Sequence, residues 1–263
     1  MSRRFDSLVH VTPDGSWPNG RCDASWSRLI TELDRGGVAH ACLVGLPGMV
    51  SNDHVLECSR RSHGRLVPIA GVDPTQYHDR ALLEGALDDI ARAGFLGVKL
   101  HPRLNGYDPL DPRCLSAVGE SSERGLVVFL DTLFRQPGRP VAHAADVVDQ
   151  IVSANPDARV VLLHGGGAAL LEVAEVVRSH AGLVLDLSFT LVRYANSSID
   201  ADIRWLMQTL DRRIVIGSDM PEITPFDAFA RAEWMADGLA REKWDNISYG
   251  NLARLLRMEH AAD

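Results

Sequence analysis

Short apolar runs alternate along the whole chain with stretches in which apolar residues recur at helical spacing. The runs cover 5–11, 38–46, 66–72, 95–100, 126–130, 159–163 and 183–187, with an eighth starting at Ile214. They hold few polar positions, the pattern of parallel strands covered on both faces. Between them, Trp26, Leu29, Ile30 and Leu33, then Leu83, Leu87 and Ile90, then Leu170, Val173, Ala174 and Val177 mark amphipathic helices. Ile199, Ile203, Leu206 and Leu210 mark another, and helices are expected over 114–124 and 140–155. Ser51 is placed as an N-cap, while Gly36-Gly37, Gly64, Gly94 and Gly125 stop the helical pattern. A last helical stretch, 247–258, is expected to pack outside or to close the bottom.

Eight strand-helix units at a spacing of roughly thirty residues fit right-handed βαβ crossovers. The fold class expected is α/β, a single-domain (β/α)₈ TIM barrel, and 263 residues match the roughly 250 that such a barrel needs. An open doubly wound sheet is the rival, but no Gly-x-Gly-x-x-Gly follows the first strand.

Composition narrows the partners. With 46% hydrophobic and 24% charged residues the chain is an ordinary globular one. A net charge of -8 argues against a nucleic-acid surface and leaves a small-molecule substrate as the expected partner. Cys22, Cys42, Cys58 and Cys114 form no Cys-x-x-Cys pair, and no window approaches the ~20 apolar residues of a membrane span. The start, Met-Ser-Arg-Arg-Phe-Asp, has no apolar run behind it, so no membrane and a cytoplasmic location are expected.

Charge appears where the apolar runs end. In Ile-Val-Ile-Gly-Ser-Asp-Met-Pro, 214–221, a buried strand delivers Asp219 and stops. A carboxylate there needs a partner, because desolvation costs several kcal/mol or more. The other runs end in His10, Asp73, the string Lys99, His101 and Arg103, Asp131 and His164. In a barrel these ends converge at the C-terminal face, where active sites of this fold lie. Such residue types suit acid-base work and metal coordination. Arg193, after the seventh strand, is an added candidate for substrate contact. Asp73 also reads as a turn residue before Pro74, and Asp186 and His180 read as structural.

The chain resembles the amidohydrolase superfamily, within it the branch related to aminocarboxymuconate-semialdehyde decarboxylase. The likeness rests on Gly-Val-Asp-Pro at 71–74, Gly-Val-Lys-Leu-His-Pro at 97–102, Val-Val-Leu-Leu-His-Gly-Gly at 160–166, Ile-Gly-Ser-Asp-Met-Pro at 216–221 and Tyr-Gly-Asn-Leu-Ala-Arg-Leu-Leu at 249–256. It implies a (β/α)₈ barrel that usually binds one divalent metal, such as zinc, through a His-x-His pair on strand one, a histidine on strand five and an aspartate on strand eight. His10 matches the second histidine of the pair, Asp219 the aspartate, and His164 the strand-six histidine that assists the chemistry. Leu8 replaces the first histidine of the pair and Asp131 the strand-five histidine.

The cofactor therefore stays open between none and one divalent metal held with Asp131 as a replacement ligand. The expected activity is water attack on an amide, lactone or ester-type carbonyl of a small anionic substrate. Asp219, His164, Asp131 and His10 are the catalytic candidates, and Lys99, His101, Arg103 and Arg193 the substrate-binding ones. Some members of the superfamily open lactones without metal. Metal-dependent non-oxidative decarboxylation and a catalytically inactive ligand- or partner-binding barrel are the alternatives, and a homodimer is the assembly that the resemblance suggests.

Overall fold

Eight parallel strands pair in sequence order: β1 (Phe5–Val9), β2 (His40–Val44), β3 (Leu66–Val72), β4 (Gly97–Leu100), β5 (Val127–Asp131), β6 (Val160–Leu163), β7 (Leu183–Asp186) and β8 (Ile214–Val215). The bridges Asp6↔Ile216 and Val9↔Met220 lay the chain after β8 against β1, so the sheet closes into the expected barrel. The computed structural model describes residues 3–134 and 143–258.

Strand alternation sorts the core into two layers. Phe5, Leu8, Cys42, Val44, Ile69, Phe129, Val161, Leu163, Val184 and Val215 pack together inside the barrel. Their neighbours, among them Val98, Leu100, Leu130, Leu162 and Leu185, pack outward beneath the helices. This two-residue period decides where the charges go. Lys99 lies between two outward residues, and Asp131 and Asp186 each follow one, so all three turn inward at the top of the barrel. Leu252, Ala253 and Leu256 join the interior layer at the other end, so the terminal helical stretch closes the bottom.

Local chemistry sets the helix ends. Ser25 accepts from the amide of Arg28 to cap the helix Trp26–Arg35, and Ser51 caps Asn52–Arg61 through His54 N. Asp79 caps Arg80–Ala93, which Gly94 ends at a φ of 93°. The helix expected over 140–155 is Ala144–Ala154; its expected first residues, 140–142, lie outside the described residues.

Three elements differ from the sequence reading. The eighth run is regular strand for two residues only. Beyond them Gly217 passes so close to β1 and β7 that a Cβ would lie 2.4 Å from Ser7 Oγ, and the backbone is held instead by Ser218 N to Asp6 Oδ1 (2.9 Å) and Asp219 N to Leu8 O (2.9 Å). A helix, Pro225–Met235, follows that was not read from the sequence; its buried face contains Ala228 and Ala232, which weaken the apolar period, although Thr224, Pro225 and Asp227 form a good start signal. The terminal stretch is three pieces, Arg241–Asp245, a π turn at Asn246–Gly250, and Asn251–Leu255. Among the described residues no helix is long and apolar enough to cross a membrane.

Candidate active site

Asp131 ends β5 fully buried, and one of its oxygens, Oδ2, gathers three donors: His164 Nε2 at 3.2 Å, His101 Nε2 at 3.3 Å and Arg103 Nη2 at 3.5 Å. Burial works to raise its pKa, but His101, His164 and Arg103 outweigh it and hold the carboxyl well below the usual range. Asp131 is thus a fixed anion, already saturated. His101 is not one of its cations. Burial, opposed by Asp131, pushes the imidazole down to about 3, so the ring is neutral. Its Nδ1 accepts from Leu104 N at 3.3 Å, capping the short helix Pro102–Asn105, which leaves Nε2–H to donate to Asp131. His101, a substrate-binding candidate in the sequence, is thus a neutral donor turned to Asp131.

His164 follows β6 at a φ of 66° and is also buried. Burial would lower its pKa, yet the bond to Asp131 and the charges of Asp219 and Asp131 raise it. Its Nδ1 meets the hydroxyl of Ser188 at 3.0 Å, and that hydroxyl donates to Asp186. Asp186, read from sequence as structural, thus supports His164 through Ser188 and through the backbone amide of His164. It shares the fate of Asp219 in sequence, a carboxylate at the end of an apolar run, and the same rule would have found it. Asp6 was also missed. It is fully buried in β1, accepts from Leu8 N and Ser218 N through Oδ1, has no partner at Oδ2 among the described residues, and burial raises its pKa to about 7.

Asp73, by contrast, serves its own turn, accepting from Thr75 N and Thr75 Oγ1 through one oxygen and from Gln76 through the other. His180 bonds to Asp149 at the exposed surface.

On the opposite wall, His10 donates Nδ1–H to the carbonyl of Val44 at 2.8 Å, which fixes its tautomer and leaves the Nε2 lone pair 3.8 Å from Asp219 Oδ1. Burial, with Lys99 adding to it, holds His10 well below its usual pKa, so it is neutral. Trp17 stacks on its ring at 5.6 Å between centroids and is tied by Nε1 to Glu222 at 2.7 Å. The segment before the first helix thus roofs this side of the mouth.

Lys99 stands among these groups with 2% of its surface exposed. Its charge faces Asp219 and Asp131, yet among the described residues no hydrogen bond or ion pair holds its ammonium. Burial lowers its pKa against the pull of those two carboxylates. A buried ammonium without a direct partner is costly to keep.

Beside this group a cavity of about 590 Å³ is lined by Arg103, Arg193, Leu133, Phe134, Phe189 and Tyr194, with His143 and Glu172 at its edge. It joins two guanidinium groups to apolar and aromatic walls. A hollow of about 620 Å³ at the N-terminal end, lined by Arg3, Arg241 and Tyr249, brings in no residue of the polar ring.

A family model described as Amidohydrolase matches residues 18–258. The chain belongs to the amidohydrolase family. Solved structures agree on the fold: an uncharacterised TIM-barrel protein of Bordetella bronchiseptica has a TM-score of 0.80 at 18% identity, covering 97% of this chain and 98% of that one. A probable 2-pyrone-4,6-dicarboxylic acid hydrolase of Acinetobacter baumannii gives 0.70 at 19%, covering 97% and 99%. The 5-carboxyvanillate decarboxylase of Sphingomonas paucimobilis gives 0.74 at 14%, covering 98% and 99%. A comparison with curated proteins yields no match in sequence.

The metal that the amidohydrolase resemblance implies does not fit this donor set. Leu8 sits with the apolar interior, and Asp131 is committed to three donors. Among the described residues no three His, Cys, Asp or Glu side chains are grouped to hold an ion. A bound ion normally needs at least three protein ligands.

Proposed function

We propose that this amidohydrolase hydrolyses an ester, lactone or amide carbonyl of a small anionic substrate, with side-chain cations in the place where relatives use a metal. The observation that carries the reading is Lys99: a buried ammonium with no direct partner among the described residues, facing the charges of Asp219 and Asp131, which a developing oxyanion would satisfy. Asp219 is the general base. It is partly exposed at 18% and its nearest basic neighbour is the neutral His10, so its carboxylate stays available to a water.

In this scheme Asp219 takes one proton from the water while its oxygen bonds to the carbonyl carbon. The carbonyl oxygen becomes anionic against Lys99 and the Nε2–H of His164. As the tetrahedral intermediate collapses, the leaving oxygen or nitrogen departs with the proton that Asp219 had taken. Arg103 and Arg193 would hold a substrate carboxylate in the adjoining cavity, whose aromatic walls favour a planar apolar body. The test is acid release from a panel of carboxylated lactones, esters and amides, using chelator-treated protein and its Asp219→Asn variant. Turnover that survives chelation and fails in the variant supports the reading; turnover equal in both proteins overturns it.

The same cations would also bind a benzoate-type substrate, and this favours non-oxidative decarboxylation as the second reading. There the carboxylate leaves as carbon dioxide and the ring carbon takes a proton from a protonated Asp219. Carbon dioxide from hydroxybenzoates, with no acid release from lactones or esters, selects it.

A further inference from the structure

His10 and Asp219 ride on one paired stretch of backbone. His10 N donates to Met220 O at 2.8 Å and Asp219 N to Leu8 O at 2.9 Å, so the end of β1 and the turn after β8 hold the two side chains next to each other. What they present to each other is two acceptors. The Val44 carbonyl takes the Nδ1–H of His10, so Nε2 offers a lone pair, and 3.8 Å away stands a carboxylate oxygen, Asp219 Oδ1. Among the described residues no hydrogen-bond donor reaches either atom.

Two acceptors sit face to face comfortably only across a shared donor. A separation of 3.8 Å is too long for a direct bond and short enough for one oxygen to lie about 2.8 Å from both atoms. A water in that place gives one hydrogen to each, and its lone pairs then point away from both. Trp17 screens the place on one side: it stacks on the imidazole, and Glu222 Oε1 accepts from Trp17 Nε1 at 2.7 Å and from Asn19 Nδ2 at 3.1 Å. Glu222 N in turn donates to Asp219 O at 3.1 Å, so the wall and the carboxylate are tied together.

We propose that His10 Nε2 and Asp219 Oδ1 together seat the attacking water, which makes His10 a second catalytic residue of the hydrolysis. The inference deepens the hydrolase reading and rests on it for what the water does. The two acceptors divide the work. Asp219 takes one hydrogen as a proton while the oxygen–carbon bond forms; the other stays on that oxygen, held by His10, which its burial and the charge of Lys99 keep from becoming a cation. The reacting lone pair is thereby aimed rather than free to turn, the ordering that positioned reactants supply.

A high-resolution crystal structure of protein purified without chelators tests the seat before any substrate is known. We expect a water oxygen about 2.6–3.2 Å from both His10 Nε2 and Asp219 Oδ1. An oxygen bonded to one of them alone, no oxygen, or an ion at about 2.0–2.2 Å overturns the proposal. His10→Phe keeps a ring under Trp17 but accepts nothing, whereas His10→Gln restores an acceptor. The water should leave in His10→Phe and, with a substrate in hand, kcat should fall by roughly 10²-fold, the scale of a misplaced reacting group, at unchanged KM; His10→Gln should recover most of it. Turnover in His10→Phe equal to that of the native protein overturns the proposal, and if that variant does not fold the native structure alone decides. If the water stands in place but Asp219→Asn leaves turnover intact, the functional reading fails while the seat remains.

Discussion

Nε2 of His164 lies 3.2 Å from Oδ2 of Asp131, and both side chains are buried at the top of the barrel. The pair sets the charge pattern of the site, because the anion is depressed and the imidazole raised by the same contact. Breaking a buried pair from one side leaves an uncompensated charge and costs about 3–5 kcal/mol. Asp131→Asn is expected to lose that much in urea unfolding. The sign follows from each partner. Asp131 contributes above its unfolded value of 3.8 and loses this as pH falls through its folded value. His164 contributes below its unfolded value of 6.5 and loses this as pH rises through its folded value. The deficit of the variant should therefore be largest between pH 3.8 and 6.5 and shrink on both sides.

Asp219 stands in the left-handed region at a φ of 61°. Asparagine tolerates that conformation and alanine does not, so Asp219→Asn isolates the chemistry from backbone strain. Loss of a general base of this kind lowers kcat by about 10²–10⁴-fold. Stability should move little, since the nearest basic side chain among the described residues, His10 at 3.8 Å, is neutral, and thermal unfolding of the same preparation checks that.

Lys99→Met removes the ammonium but keeps the length of the chain. Among the described residues the buried charge has no direct partner to strand, so stability is expected to hold or rise. Transition-state stabilisation by a preorganised donor should fall by about 10²–10³-fold in kcat. A variant that loses both activity and several kcal/mol of stability would instead make Lys99 a structural cation.

Asp6 gives a stability slope that needs no substrate. Its folded pKa, raised to about 7 by burial, exceeds the unfolded 3.8, so its contribution is present below 3.8 and lost as pH rises toward 7. That shift corresponds to roughly 4 kcal/mol over the interval. Asp6→Asn keeps an oxygen for Leu8 N and Ser218 N and cannot ionise. Its stability relative to the native protein should climb between pH 4 and 7, and parallel curves would contradict the assignment.

The sequence by itself determined the barrel, the strand ends and most of the polar ring, because burial on both faces forces apolar runs whose length and spacing are visible in one dimension. His10, Lys99, Asp131, His164 and Asp219 were legible as charges where such runs stop. Asp6 and Asp186 lie in or at the end of comparable runs and fall under the same rule. Only the tertiary structure decided who faces whom. Asp131 holds His164, a neutral His101 and Arg103 on one oxygen, while Lys99 has no direct partner among the described residues. Asp186 reaches His164 from a neighbouring strand through Ser188, a contact 22 residues apart in the chain. Partnership of this sort depends on register between strands and on competition among donors for one buried oxygen. Neither leaves a mark on the order of residues.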